Sequence, residues 1–313
     1  MRVVALAGGV GGARLAFGLQ AELGADVTVV VNTADDLERH GLVVCPDLDT
    51  VTYTLAGLED RRQGWGLAGD TYAAGQMLER YGEETWFRLG DQDLATHIVR
   101  TARRKAGRSL TDVTIELTRA LGVAATILPM TEDAVRTEVR TDDGWLEFQE
   151  YFVHRRQEPA VHEVRLHGIE RAEATARVRG ELGFAEAVVI APSNPIVSIG
   201  PILALRGMRE TLSAARRGGA PLVAVSPIVG GKALKGPADR MLASLGHESS
   251  ALGVARIYAK LATGFVLDTV DAALVPAIEV LGLRTLVTDT IMSDDAARIR
   301  VARDVLAFAS DQR

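Results

Sequence analysis

The sequence has a single cysteine, Cys45, among 313 residues. No intrachain disulfide can form, which fits a reducing compartment and excludes the disulfide-stapled secreted scaffolds. Following a Val-Val pair, Cys45 reads as buried filler rather than as a catalytic thiol. Lysine is nearly as scarce: only Lys105, Lys232, Lys235 and Lys260 occur, and arginine carries the remaining positive charge. The net charge of −6 lacks the basic excess of a general nucleic-acid binder, so no nucleic-acid partner is expected. No apolar run approaches the roughly 20 residues that cross a bilayer. The opening MRVVALAGGVGGARLA imitates a secretory leader, but glycines interrupt it, and a strand followed by a glycine loop explains it better. A soluble, cytoplasmic protein with no membrane partner is the expectation. The six histidines show no zinc-like spacing, and no G-x-S-x-G nucleophile elbow occurs.

What is present is an α/β rhythm. Val3–Ala7 reads as a buried strand, Ala13–Leu23 as a helix and Val27–Val31 as the next strand, the opening of a Rossmann-like, doubly wound parallel sheet. Helices are expected at Asp49–Leu55, Thr71–Tyr81, Asp91–Lys105 and Thr111–Leu121, with Asp91 capping the third and Gly107 closing it. From about 125 to 168 the runs shorten and partly alternate, and Asp142-Asp143-Gly144 marks a hairpin. This stretch, including ATILPM and FQEYF, reads as an antiparallel insert within one domain spanning 1–313. Strands then return at Ala187–Ala191, Leu222–Val225, Gly264–Leu267 and Thr285–Thr288.

Ligands of doubly wound sheets bind beyond the C-terminal strand ends, and the chemically unusual residues fall there. Gly8, Gly9, Gly11 and Gly12, with Arg14, follow the first strand. Glycines let backbone amides approach an anion, and a helix start carries partial positive charge. A bare tight turn is the plainer reading. The spacing departs from the dinucleotide fingerprint, because Arg14 falls on its third small position, and no Gly-Lys-Ser/Thr makes it a P-loop. Asn32-Thr33-Ala34-Asp35-Asp36 follows the second strand and reads as a ribose-binding or turn-capping acid. Asp47 and Asp49, one residue apart at a helix start, suit Mg²⁺, which takes oxygen ligands; capping explains one aspartate but not two. Lys232 and Lys235 share one glycine-rich loop, either a diphosphate cradle or a solvated surface loop. Ser193 and Asn194 offer polar groups at another strand end. His97 reads as a satisfied core or surface histidine rather than a base.

GGVGGARL, NTADD, PDLDTVTYTL, WFRLGDQDLATH, FQEYFV, APSNPIVSIGPIL, SPIVGGKALKGPADRML and DTIM occur in this order along the whole chain. In this the sequence resembles the 2-phospho-L-lactate transferase (CofD-like) family of coenzyme F-420 biosynthesis. The resemblance implies a Rossmann-like, Mg²⁺-dependent transferase, commonly a homodimer. Such an enzyme moves a phospho-three-carbon acid, 2-phospho-L-lactate or its enolpyruvyl analogue, from a guanosine diphosphate-activated donor. The acceptor is 7,8-didemethyl-8-hydroxy-5-deazariboflavin, and GMP is released. It also implies deazaflavin contacts for Asp49 and Arg88. The family carries Lys at the second position in some members; Arg keeps the charge but changes the hydrogen-bond geometry. Val10 stands where Thr is frequent, so any hydroxyl contact there is lost. On this reading Asp49 and Lys232 are the catalytic candidates, and Gly8, Gly9, Gly11, Gly12, Arg14, Ser193, Asn194, Lys232 and Lys235 hold the nucleotide. The alternatives are a nicotinamide-dependent oxidoreductase and a non-catalytic nucleotide sensor.

Overall fold

Strand β1, Val3–Ala7, is apolar at every position because both of its faces are covered. Val4 and Leu6 enter one hydrophobic cluster, while Val3, Ala5 and Ala7 enter the other. The computed structural model describes all residues from Met1 to Arg313. Seven strands form the central sheet: β1, β2 (Val27–Val31), β3 (Thr126–Pro129), β4 (Ala187–Ile190), β5 (Leu222–Val225), β6 (Gly264–Asp268) and β7 (Arg284–Thr288). They lie in the order β3-β2-β1-β4-β5-β6-β7, and every neighbouring pair is parallel. That is the doubly wound Rossmann arrangement, with its switch point between β1 and β4. No helix is long and apolar enough to cross a membrane.

Helix α1, Gly9–Leu23, packs on one face of the sheet beside the C-terminal helix Asp295–Ser310. A methyl group on Gly18 would stand 2.1 Å from the Arg298 carbonyl, so glycine lets the two helices meet. Between β2 and β3 come α2 (Pro46–Leu55), α3 (Ala73–Arg80), α4 (Asp93–Lys105) and α5 (Leu110–Ala120). Asp91, expected to cap α4, caps α3 instead. Asp91 accepts from the amides of Ala73 and Ala74 at the start of α3, and Asp70 accepts from Gln92 and Asp93 at the start of α4. Each aspartate thus ties the two helix starts together.

The antiparallel insert is narrower than the sequence suggests. Its three strands are Arg136–Thr141, Gly144–Glu147 and Glu163–His167, with the hairpin at Asp142–Asp143. Thr126–Pro129, expected in the insert, instead extends the parallel sheet beside β2; its Ile127 and Leu128 are fully buried on opposite faces, as a central-sheet strand requires. Glu150–His154 is a helical turn rather than a strand. The aromatics explain it: Phe148, Tyr151 and Phe152 are spaced three and four apart and pack together, Phe148 and Phe152 stacking at 5.4 Å.

Candidate active site

The switch point brings the glycine loop against the β4 loop. Gly8 N donates to Ser193 Oγ at 3.1 Å, and Ser193 Oγ donates back to the Gly8 carbonyl at 2.8 Å. Helix α1 begins at Gly9, four residues earlier than its apolar pattern indicates, because the glycines themselves form its first turn. Gly11 and Gly12 are there for packing: a Cβ would lie 2.2 Å from the Pro192 carbonyl at Gly11 and 2.6 Å from Ser193 Oγ at Gly12. Gly9 alone takes a left-handed conformation, φ 59°. Its amide donates to Asp47 Oδ1 at 2.9 Å. With the Gly8 and Gly9 amides occupied, the donors left at this helix end are Val10 and Gly11. Asn194 turns inward: its Oδ1 accepts from Ile196 and Val197, capping its own loop.

Arg14 and Lys235 converge beside this turn. Lys235 Nζ donates to the Gln63 carbonyl at 2.6 Å, and a Cβ on Gly64 would lie 2.7 Å from Nζ and 3.2 Å from Val10 Cγ1. Burial lowers the pKa of both cations, and each is lowered further by a cationic neighbour, Arg298 for Arg14 and Arg14 for Lys235. Arg14 Nε has no partner. Behind them Glu59 is bonded to Arg298 at 2.9 Å, leaving an excess of positive charge toward the loop. Lys232 does not join them. Its side chain is 81% exposed at a small hairpin, with Asp239 3.8 Å away, while Lys235 bonds the Gln63 carbonyl.

Asp47 and Asp49 also part company. Residues two apart on a helix point roughly 200° from one another, and α2 sends them to opposite sides. Asp47 meets Gly9 N and Asn32 Nδ2, the latter at 3.1 Å; the same Nδ2 is 3.0 Å from Asp35 Oδ2. Burial, above all, raises Asp47 to about 6 and Asp35 well above the usual range, and Asp47 raises Asp35 further. Asp35 Oδ1 is buried without a partner. Asp36, likewise buried, is raised to about 7.

Asp49 faces α4. Arg100 holds both of its oxygens, Nη1 donating to Oδ2 at 3.0 Å and Nη2 to Oδ1. Asp49 clusters with Asp93 and His97 rather than with Asp47: one ligand atom of each lies within 4.8 Å of the others, a spacing that could hold a metal ion. Burial opposes the charge on Arg100, but Asp49 and its neighbours raise the pKa. Tyr53 OH lies 2.6 Å from Asp93 Oδ1 and 2.8 Å from Thr96 Oγ1. Arg100, Asp93 and Tyr53 are absent from the sequence-based site, and His97 is undervalued there. A signal existed: Asp93, His97 and Arg100 recur at i, i+4 and i+7, one face of a helix that is otherwise strongly polar.

Arg88 lies along the ring of Tyr72, 4.0 Å from its centroid, and pairs with neither Asp91 nor Asp93, which are engaged elsewhere. Both residues line a cavity of ≈ 230 Å³ together with Gln76, Leu78, Phe87 and Leu94. Helix α4 supplies Leu94 to this cavity and Asp93, His97 and Arg100 to the Asp49 cluster, so the two are one turn apart.

Residues 3–297 match the family model of 2-phospho-L-lactate transferase CofD. The chain belongs to this family. Within the CofD family it is 44% identical over 320 residues to a phosphoenolpyruvate transferase of Streptomyces griseus, covering all of both chains. It is 40% identical to a 2-phospho-L-lactate transferase of Methanosarcina mazei, covering 93% of this chain and 95% of that one. A crystal structure of a UPF0052-family protein from Bacillus halodurans has the same fold, with a TM-score of 0.64 at 12% identity over 97% of this chain and 98% of that one. As a CofD-family member the protein is a transferase of coenzyme F-420 biosynthesis. That sets aside the nicotinamide-dependent and non-catalytic alternatives.

Proposed function

We propose that this transferase moves a phospho-three-carbon acid from a guanosine diphosphate-activated donor to the terminal hydroxyl of 7,8-didemethyl-8-hydroxy-5-deazariboflavin. The hydroxyl oxygen attacks the phosphorus that carries the acid, the bridge to GMP breaks, and the hydroxyl proton leaves to solvent. Such a reaction needs in-line placement and neutralisation of charge on phosphate oxygens more than it needs a protein nucleophile. The observation that carries the reading is the pair of Arg14, half-buried, and Lys235, exposed, beside the free amides of α1 with no carboxylate bonded to either. A cation kept partly out of water, as Arg14 is, gains most from a multiply charged anion.

The acceptor reading rests on the Arg88–Tyr72 cavity. Its walls are mostly apolar with a few polar groups, which suits one part of a flat ring system, and it opens beside the helix that holds Asp49. In the expected Mg²⁺ role, Asp47 with Asp35 fits better than Asp47 with Asp49. Asp49 is already neutralised by Arg100, whereas Asp35 and Asp47 share one amide, face no cation and leave Asp35 Oδ1 orphaned. A bound Mg²⁺ would supply charge neutralisation at the phosphates. The deciding experiment is mass spectrometry after incubating the deazaflavin with Mg²⁺ and either the phospholactate or the enolpyruvyl guanosine donor. The expected result is one new deazaflavin phosphodiester and free GMP. An unchanged deazaflavin with both donors would refute the reaction.

A further inference from the structure

We propose that Trp65 is the platform on which the base of the guanosine donor stacks. The inference deepens the donor reading above and rests on it.

The three tryptophans are not alike. Trp86 carries the Arg39 guanidinium 4.9 Å from its ring centroid, and Trp145 carries Arg165 at 4.0 Å. Both indoles belong to half-buried residues. Trp65 is 42% exposed, and its indole has neither a cation nor a second ring against it. A Trp side chain is large and mostly apolar, so leaving it bare in water forgoes burial that the other two obtain. The chain nevertheless fixes it in place. Trp65 sits between Gly64, φ 82°, and Gly66, φ 71°, left-handed positions that favour glycine. Asp60 closes the turn with its own backbone, its carbonyl accepting from Gly64 N at 2.7 Å and its amide donating to the Gly66 carbonyl at 3.0 Å. Side chains from elsewhere hold the loop at two more points. Arg61 bonds Asp295 at 2.8 Å, and Lys235 Nζ donates to the Gln63 carbonyl at 2.6 Å.

The place of this turn says which ring it receives. A Cβ on Gly64 would lie 2.7 Å from Lys235 Nζ and 3.2 Å from Val10 Cγ1, so Trp65 is one residue from the cation and from the free end of α1. A nucleoside diphosphate is anionic at one end and carries a flat ring at the other. Arg14, Lys235 and the Val10 amide answer the first, and Trp65 is the bare aromatic face beside them. The deazaflavin is also flat, but its cavity has aromatic walls of its own, Tyr72 and Phe87, and Trp65 does not line it. Stacking recognises a planar base rather than guanine in particular, so the choice of guanine falls to other groups.

Calorimetry with GDP, inorganic pyrophosphate and the deazaflavin tests the platform in the parent, Trp65→Phe and Trp65→Ala. GDP affinity should fall about tenfold in Trp65→Ala, the scale of one base–aromatic stack. It should stay within about threefold of the parent in Trp65→Phe, which keeps a ring. Pyrophosphate has no base, so its affinity should be the same in all three proteins, as should that of the deazaflavin. GDP should also quench tryptophan emission in the parent, and Trp65→Phe should lose that quenching. Parental GDP affinity in Trp65→Ala overturns the inference. So does an equal loss of pyrophosphate affinity, which would mean that the residue only shapes the loop. A loss confined to the deazaflavin gives the platform to the acceptor and overturns it too. Should Trp65→Ala not fold, the emission of the parent and of Trp65→Phe decides. A parent that ignores GDP refutes the donor reading itself, whereas tight GDP binding untouched by Trp65→Ala refutes only the stack.

Discussion

Arg100 on α4 closes over Asp49 on α2 as a two-pronged ion pair in the interior, with only 3% and 8% of the respective side chains exposed. Removing one partner of such a pair leaves the other charge buried and unpaired, which costs about 3–5 kcal/mol. Asp49→Asn should therefore lose about 3 kcal/mol in urea denaturation, together with at least roughly a hundredfold in transfer. A variant as stable as the parent would show that Arg100 finds another acceptor and that the pair does not organise α2 and α4.

Lys235 and Lys232 should separate cleanly. Lys235 bonds the Gln63 carbonyl beside Gly64 and feels the charge of Arg14, whereas Lys232 is 81% exposed with only Asp239 near it. Lys235→Met should weaken GDP binding about tenfold and flatten its dependence on salt, since an attraction that salt screens has gone. Lys232→Met should change both by less than about twofold, as expected of an exposed charge. Isothermal titration at two ionic strengths reads both quantities. Equal losses in the two variants would restore the shared lysine cradle.

Arg88→Ala tests the cavity above Tyr72. Loss of a guanidinium stacked on an aromatic wall should weaken deazaflavin binding by about tenfold, followed by the ligand's own fluorescence. GDP affinity should stay at the parental value, because Arg14 lies on α1 and Lys235 on a loop far along the chain from Arg88. Unchanged deazaflavin binding would take Arg88 out of the acceptor site.

Asp36 makes stability depend on pH. Its folded pKa, about 7 through burial, exceeds the ordinary 3.8, so the unfolded chain releases this proton first. Its contribution is fully favourable below pH 3.8 and is lost as pH rises toward 7. Asp36→Asn, which cannot ionise, should gain stability over the parent at pH 8 by on the order of 3 kcal/mol. It should gain little at pH 4.5. Denaturation in EDTA at both pH values measures the difference; a gain that is equal at the two would mean that Asp36 does not titrate in the folded protein.

Much of the scaffold was legible along the chain. The runs Val3–Ala7, Val27–Val31 and Leu222–Val225 are strands at those boundaries, because a strand buried on both faces must be apolar at every position. The glycine loop, Arg14, Ser193 and Lys235 were legible as a group for a related reason. Strand-end loops of a doubly wound sheet converge, so unusual residues there are neighbours in space. Chain order alone also placed Asp49 in a site.

What Asp49 meets was decided only by tertiary structure. Arg100 lies 51 residues away in sequence, and nothing in either segment states that α4 will lay its Asp93–His97–Arg100 face on α2. The same holds for Asp91 capping α3 while Asp70 caps α4, and for the outward turn of Lys232. Sequence spacing fixes which residues share a face of one element, since helix and strand periods are set by backbone geometry. Which two faces come together depends on how the whole set of helices covers the sheet. For this protein the sheet and the glycine loop at its end were therefore set locally, and the charge arrangement around Asp49 was set by packing.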